Sequence, residues 1–251
     1  MQTRHAALGL FGVLLLWQGA VAAALLPLYV LPTPAAVLAA LWRQRAFLLD
    51  QTTVTLGEIV AGLVLGSLFG AAIAFLLAAW PRLGRLAWPM LLVLQAFPVF
   101  VLAPILVLWL GFGMASKVAM TVIIIFFPVA SAFADGLNRT PQDIVDAAAL
   151  TPASHWQILT QIRVPLALPQ LATGLRVAAP LAPLGAVVGE WVGASGGLGF
   201  VMVQANARMQ SDMVFAAMVL LAILAVALRL LIDRLTRPFA PWARTRPPVF
   251  D

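Results

Sequence analysis

Residues 53–80 read TVTLGEIVAGLVLGSLFGAAIAFLLAAW and carry a single charge, Glu58. A helix needs ~20 predominantly apolar residues to cross a bilayer, so this stretch predicts a membrane-spanning helix. Within it Glu58, Gly62, Gly66, Gly70, Ala74 and Ala78 follow one another at four-residue intervals. That spacing lines small side chains along one helix face and lets a second helix approach closely, where van der Waals packing drives association. Packing within the same subunit is the expected use of the stripe, and a subunit–subunit contact is the alternative.

The rest of the chain has the same character. Of 251 residues, 63% are hydrophobic and 10% charged, with a mean hydropathy of +1.02. An ordinary soluble domain is roughly 25% charged, so a soluble fold is excluded and lipid must solvate much of the surface. Apolar runs near 6–26, 53–80, 87–110, 115–135, 175–194 and 213–233 predict an all-α polytopic protein with six transmembrane helices. A separate catalytic domain has no room.

Charge sets the orientation. Arg4, Arg82, Arg85, Arg139, Arg163, Arg176, Arg229, Arg234, Arg237, Arg244 and Arg246 fall on one side of these spans, and Arg43, Arg45, Lys117 and Arg208 on the other. Cytoplasmic loops carry the excess of Lys and Arg, so both termini are expected in the cytoplasm. Arg4, Leu8–Trp17 and Ala22-Ala23-Ala24 also fit a cleavable leader, but apolar sequence continues through Leu25, Leu26, Leu28, Tyr29 and Val30, and a full span is the preferred reading.

Several chemistries drop out. There is no cysteine, and His5 and His155 are isolated, which leaves no thiolate or His-based metal site. The sequence before Lys117, the single lysine, does not spell a phosphate-binding G-x-x-x-x-G-K loop, so no ATP site is expected in this chain. A net charge of +6 raises nucleic acid as a partner, but most arginines flank apolar runs instead of lining a basic face with stacking aromatics.

Prolines punctuate the spans. Leu31-Pro32-Thr33-Pro34 predicts a rigid turn before a short amphipathic helix over 35–45, at the outer membrane surface. Pro98 and Pro104, Pro128, and Pro180 and Pro183 predict kinks or local unwinding in spans three, four and five. Kinked spans suit a moving gate and equally suit a static bundle.

The least apolar internal stretch, about 136–175, lies on the cytoplasmic side between spans four and five. Thr140-Pro141-Gln142-Asp143 predicts a helix start with Thr140 as N-cap and Pro141 first in the helix. Thr151-Pro152 repeats the signal and predicts a second short helix over 153–162 bearing Trp156, Ile158, Leu159 and Ile162. Two surface helices meeting at a proline-marked corner follow.

This segment resembles the cytoplasmic signature of the inner-membrane permease subunits of binding-protein-dependent ABC importers, a Glu-Ala-Ala segment, a following glycine and an Ile-x-Leu-Pro ending. Here the pattern stands as Asp146-Ala147-Ala148, Pro152 and Ile162-Arg163-Val164-Pro165. Asp146 keeps the charge of the usual Glu on a shorter arm, and Pro152 breaks the helix by ring constraint where the family uses glycine. The resemblance covers almost the whole chain. Leu31–Pro34, the glycine stripe, Phe97-Pro98 through Trp109–Gly113, and Ser195–Gly199 are similar to the nitrate/sulfonate/taurine-type branch. Gly189–Gly193 and Ala205–Gln210 look most like permeases for thiamine precursors of the hydroxymethylpyrimidine type.

The resemblance implies a single permease domain over 1–251, with a core over 53–235, that works as a homodimer in the bacterial inner membrane. Its partners would be ATP-binding cassette subunits, which hold the ATP and Mg, and a periplasmic or lipid-anchored substrate-binding protein. It implies ATPase coupling through Asp146, Ala147, Ala148, Pro152, Ser154, Trp156 and Pro165.

Some residues stand out on their own chemistry. Glu190 is an acid inside span five, where a charge near the bilayer centre costs about 3 kcal/mol, so it must face protein or water. It is either a path or gate residue beside Trp191 or an internal hydrogen-bond partner. Gln95 and Pro98 are weaker path candidates. Asn206, Arg208 and Gln210 in an outer loop are candidates for contact with a delivery protein. The absence of arginine in the central stretches favours an uncharged or cationic heteroaromatic substrate over nitrate, taurine or alkanesulfonate. A stand-alone ion-coupled transporter, which would use Glu58 and Glu190, would favour an inverted repeat, and none is found.

Overall fold

The computed structural model describes residues 2–95 and 97–239, and every regular element among them is helical. In chain order these are α1 (Gln2–Ala22), α2 (Pro34–Arg43), α3 (Arg45–Ala79), α4 (Pro81–Gln95), α5 (Ala103–Leu110), α6 (Met114–Asn138), α7 (Gln142–Ala149), α8 (His155–Ile158), α9 (Val164–Ala178), α10 (Ala182–Gly193), α11 (Leu198–Ala207) and α12 (Ser211–Thr236). Arg244 and Arg246, counted for the orientation, lie outside the described residues.

Four helical segments among the described residues are long and apolar enough to cross a membrane: Arg45–Ala79, Met114–Asn138, His155–Gly193 and Ser211–Phe239. The candidate spans at 6–26 and 87–110 fall outside this set. Within the first, α1 contributes a shorter apolar helix, Phe11–Ala22. The other is divided, because α4 ends before Pro98 and the chain re-enters through a 3-10 turn, Val99–Leu102, into α5. Proline donates no N–H and disfavours helical backbone at the residue before it.

The bundle is organised around α6, which its neighbours meet with glycine. Gly62, Gly66 and Gly70 of α3 are buried. A Cβ on Gly62 would run into Thr121, and one on Gly70 into the Phe126 carbonyl, so the stripe packs inside the subunit. From the other side, a Cβ on Gly185 would stand 2.6 Å from Thr121 Cα and one on Gly189 2.9 Å from Lys117 Cα. Helices this close gain dispersion contacts that side chains would otherwise hold apart. The central core is Ile59, Leu63, Ile125, Val129, Ala178, Ala182, Ala186 and Leu228. Val64, Leu65, Leu68 and Phe69 on the opposite side of α3 are exposed, as a lipid-facing surface requires.

Near the start of the chain, Thr33 caps α2 by accepting the Ala36 N–H at 3.0 Å, with Pro34 in the first turn, as expected. The Trp17 indole donates to the Pro32 carbonyl at 2.9 Å and its ring packs on Phe215, which ties α1 to the turn before α2 and to α12.

Prolines act unequally. α6 continues as helix through Pro128, whereas Pro180 sits in a 3-10 turn, Ala179–Leu181, between α9 and α10. In the insert, α7 begins at Gln142 after Pro141, one residue later than expected, and Thr140 instead donates to the Leu137 carbonyl. The second helix starts at His155, where Ser154 and Gln157 form a reciprocal capping box that outcompetes the Thr151-Pro152 signal. It does not stop at Ile162. A π-helical stretch, Leu159–Arg163, carries α8 into α9. Pro165 follows in the first turn of α9, where its missing N–H matters least.

Candidate functional site

The loop Ala194–Gly197 turns the chain from α10 into α11. A helix start leaves backbone N–H groups without intrahelical partners, and here three consecutive ones are met by side chains. Gly197 N–H donates to Gln51 Oε1 at 2.7 Å, Leu198 N–H to Thr55 Oγ1 at 2.7 Å, and Gly199 N–H to Glu190 Oε2. Thr55 in turn donates its hydroxyl hydrogen to Glu190 Oε1 at 2.6 Å. The carboxylate therefore sits at the positive end of α11, where the helix dipole favours it.

The glycines explain themselves at this point. Gly197 has φ +104, a conformation L side chains rarely adopt, and a Cβ there would overlap the Glu190 carboxylate. A Cβ on Gly199 would lie 2.7 Å from Glu190 Oε2. Thr55 is fully buried and Glu190 only 2% exposed, so these two side chains must be satisfied internally.

One turn further along α3, Glu58 is 3% exposed, and its Oε2 is buried without a hydrogen-bond partner. Its charged neighbours are Glu190 and Lys117. Lys117 is also buried, and its ammonium donates to the carbonyls of Phe112 at 2.7 Å and Gly113 at 2.9 Å. Gln51, Glu58, Phe112, Lys117 and Ser195 border a cavity of about 540 Å³.

The expected site residues lie in separate places. Glu190 belongs to the buried cluster, while Trp191 beside it is half exposed. Gln95 and Pro98 are exposed at the break between α4 and α5. Asn206, expected in a loop, lies in the last turn of α11, with Arg208 and Gln210 just after it, and all three are exposed; Arg208 and Gln210, with Arg43 and Asp212, border a separate cavity of about 480 Å³.

Asp146, Ala147, Pro152 and Ser154 are exposed on the α7–α8 corner, and Ala148 and Pro165 are half buried. Asp146 accepts a hydrogen bond from Gln142 Nε2 at 2.9 Å. Trp156 packs edge-on against Phe75 near the far end of α3, with ring centroids 5.5 Å apart. Leu150 at the corner is 90% exposed. Along α3, Thr55 and Phe75 are separated by 20 residues, about 30 Å of helix. The buried cluster and the exposed corner thus occupy opposite ends of the bundle.

Sequence reasoning passed over Gln51, Thr55 and the placement of Lys117. A signal was present, since Gln51, Thr55 and Glu58 follow the i, i+4, i+7 spacing of one helix face and continue the glycine stripe.

Membrane-length helices packed through glycine, a polar cluster buried at one end and an exposed helical corner at the other define a membrane-spanning transport subunit. Residues 62–245 match the family of binding-protein-dependent transport system inner membrane components, and the chain belongs to that family. It is 47% identical to a probable ABC transporter permease protein of Haemophilus influenzae, over 90% of this chain and 93% of that one. It is 35% identical to the formylaminopyrimidine transport permease protein ThiX of Halalkalibacterium halodurans, over 86% and 87%. With the riboflavin transport system permease protein RibX of Chloroflexus aurantiacus it shares 33% identity, over 92% and 87%. In fold it resembles a chain of the MetNI methionine ABC transporter in an inward-facing conformation, with a TM-score of 0.69 and 20% identity over 78% of this chain and 98% of that chain. The protein is an integral, multi-pass permease subunit of an ABC importer, a transport component and not an enzyme.

Proposed function

We propose that this chain forms the translocation pathway of an ATP-driven importer for an aminopyrimidine thiamine precursor of the hydroxymethylpyrimidine type. The observation that carries the substrate class is the charge of the buried cluster. Glu58 neighbours a second acid, Glu190, and one lysine, Lys117, whose ammonium is already held by two carbonyls. An anion would call for free cationic or helix-N-terminal donors, and the α11 N–H groups are taken by Gln51, Thr55 and Glu190. A neutral or cationic heteroaromatic fits better. Similarity supports a heteroaromatic, at 35% identity to a permease named for formylaminopyrimidine and 33% to one named for riboflavin, against 30% for one named for taurine and 25% for one named for aliphatic sulfonates.

Six spans, both termini in the cytoplasm and a homodimer of single-domain subunits complete the proposal. Two separate ATPase subunits bind ATP and Mg. The α7–α8 corner, with Asp146, Ala147, Ala148, Pro152, Ser154 and Trp156, docks in the ATPase, and Pro165 shapes the start of the membrane helix behind it. Exposure of this corner, with apolar Leu150 at its tip, supports that assignment. ATP binding closes the ATPase dimer, pulls on the corner and opens the pathway outward; hydrolysis resets it. Asn206, Arg208 and Gln210 receive the external binding protein, and Gln95, Pro98, Glu190 and Trp191 belong to the pathway or its support. Thermal-shift screening of the cognate binding protein against aminopyrimidines, riboflavin, taurine and alkanesulfonates tests the substrate class. A shift with the aminopyrimidines alone is expected, and a shift with taurine or a sulfonate alone refutes it.

A further inference from the structure

A further cavity, of about 410 Å³, is bordered by the ends of α3 and α6, the first half of α4 and Arg163 of the π-helical stretch. Its polar wall is Arg85, Asp135, Asn138 and Arg163, beside the Trp88 ring, which stacks on Phe127 of α6 with centroids 6.3 Å apart. Among the described residues the one ion pair is Arg176–Asp233, and the side chains of Arg85, Asp135 and Arg163 make no hydrogen bond. Arg163 is half buried, with its Nε enclosed and unpartnered. An enclosed donor without an acceptor is destabilising and in a native protein calls for an explanation. The terminal nitrogens of Arg163 are not enclosed, so they stay free for a ligand in the cavity. Opposite charges that border one cavity without pairing are placed to meet the two charges of a ligand.

The rim shows what kind of ligand fits. α4 turns Gly84, Arg85 and Trp88 to the cavity and carries exposed Leu83, Leu86 and Met90 beside them. Trp80, where α3 ends, is exposed as well. An apolar surface next to a charged pocket suits an amphiphile, and tryptophan is enriched where membrane meets water. Basic pockets between membrane helices take phospholipid head groups.

We infer that this cavity binds the headgroup of a zwitterionic, amine-bearing phospholipid. The phosphate lies between the guanidinium groups of Arg85 and Arg163, whose N–H groups donate to its oxygens. The primary ammonium donates to the Asp135 carboxylate, and the acyl chains run over Leu83, Leu86 and Met90. A choline headgroup keeps the positive charge but has no N–H to give Asp135. A glycerol headgroup has no cation and leaves Asp135 facing the phosphate unbalanced. The cavity volume is within the range of small-molecule sites. Arg163 ends the stretch that carries α8 into α9, so the headgroup sits where the exposed corner joins the membrane helix. The inference is independent of which substrate the importer carries.

The test uses the intact permease–ATPase complex, delipidated in detergent and titrated with phosphatidylethanolamine, phosphatidylcholine or phosphatidylglycerol of identical acyl chains. Bound lipid is followed by native mass spectrometry. The wild-type complex is expected to bind phosphatidylethanolamine at least fivefold more tightly than either of the others. The double substitution Arg85→Gln/Arg163→Gln should bring phosphatidylethanolamine down to the phosphatidylcholine level. Asp135→Asn should abolish the preference over phosphatidylglycerol while phospholipid still binds. Equal binding of the three lipids by the wild-type complex overturns the inference, and is the result expected if the ATPase or a second permease copy fills the cavity. Phosphatidylethanolamine binding within twofold of wild type in the double variant overturns it too, as does an unchanged preference in Asp135→Asn. Phosphoethanolamine, the headgroup without chains, is the parallel probe. It should bind at least tenfold more weakly than the lipid, and equally tight binding would reassign the cavity to a soluble phosphate ester and overturn the lipid site. If the double variant fails to assemble, Arg85→Gln alone decides, being at an exposed position; a fall of at least threefold is expected, and no fall overturns the inference.

Discussion

Thr55 and Glu190, 135 residues apart in the chain, share a 2.6 Å hydrogen bond that joins the start of one membrane helix to the end of another. Thr55 also accepts the Leu198 N–H, so one hydroxyl links α3, α10 and α11. Replacing it with valine keeps the shape and removes both bonds. Each buried group left unpaired costs about 1–3 kcal/mol, so Thr55→Val should lower the unfolding temperature in detergent by several degrees while Thr55→Ser retains most of it. Equal melting of all three proteins would show that the cluster does not hold the fold together.

Glu190→Gln tests the same cluster from its acidic side. The carboxylate accepts from both Thr55 and Gly199, whereas an amide has one acceptor oxygen and an NH2 that meets a donor. Stability in detergent should fall together with transport in reconstituted vesicles. A fall in transport alone would assign Glu190 to the substrate path, and wild-type transport at several pH values would remove its charge from the mechanism.

Two glycines of α3 should behave oppositely. A Cβ on Gly62 would run into Thr121 on α6, whereas a Cβ on Gly57 would meet only Met114 Cε at an ordinary 3.7 Å. Gly62→Ala should cost about 1–3 kcal/mol through overpacking. Gly57→Ala should be neutral or stabilising by up to about 1 kcal/mol, through helix propensity. Fluorescence-detected thermal unfolding of the two variants checks the pair, and equal melting would contradict the close approach of α3 and α6.

The glycine stripe was legible because its period matches the helix and its small side chains have one physical use. The cap on α11 was not, since Gln51 and Thr55 reach Gly197 and Leu198 only after folding brings together segments more than 140 residues apart. Local signals also competed. Thr151-Pro152 and Ser154 with Gln157 both announce a helix start, and only the second closes a reciprocal box. Sequence made Ile162–Pro165 look like an ending, but a widened turn carries the helix past the proline. Span three failed the length criterion because α4 stops before Pro98 and re-enters through a 3-10 turn, a break that apolar composition alone does not reveal.

At the other end of the molecule, the α7–α8 corner is open to a partner. Leu150 is 90% exposed and Ala148 half buried, so neither Leu150→Asp nor Ala148→Arg should unfold the bundle. Both should reduce copurification of the ATPase and ATP-driven uptake at least tenfold, while melting of the isolated permease stays within about a degree of wild type. Undiminished uptake with both substitutions would take the corner out of the coupling mechanism.

The central claim is that this permease, with its ATPase and binding protein, imports an aminopyrimidine. Uptake of radiolabelled 4-amino-5-hydroxymethylpyrimidine into proteoliposomes holding the full transporter measures it most directly, with riboflavin and taurine as parallel probes. The account predicts accumulation of the aminopyrimidine that requires both ATP and the binding protein, with no accumulation of taurine. Accumulation without ATP, or accumulation of taurine in place of the aminopyrimidine, would contradict it.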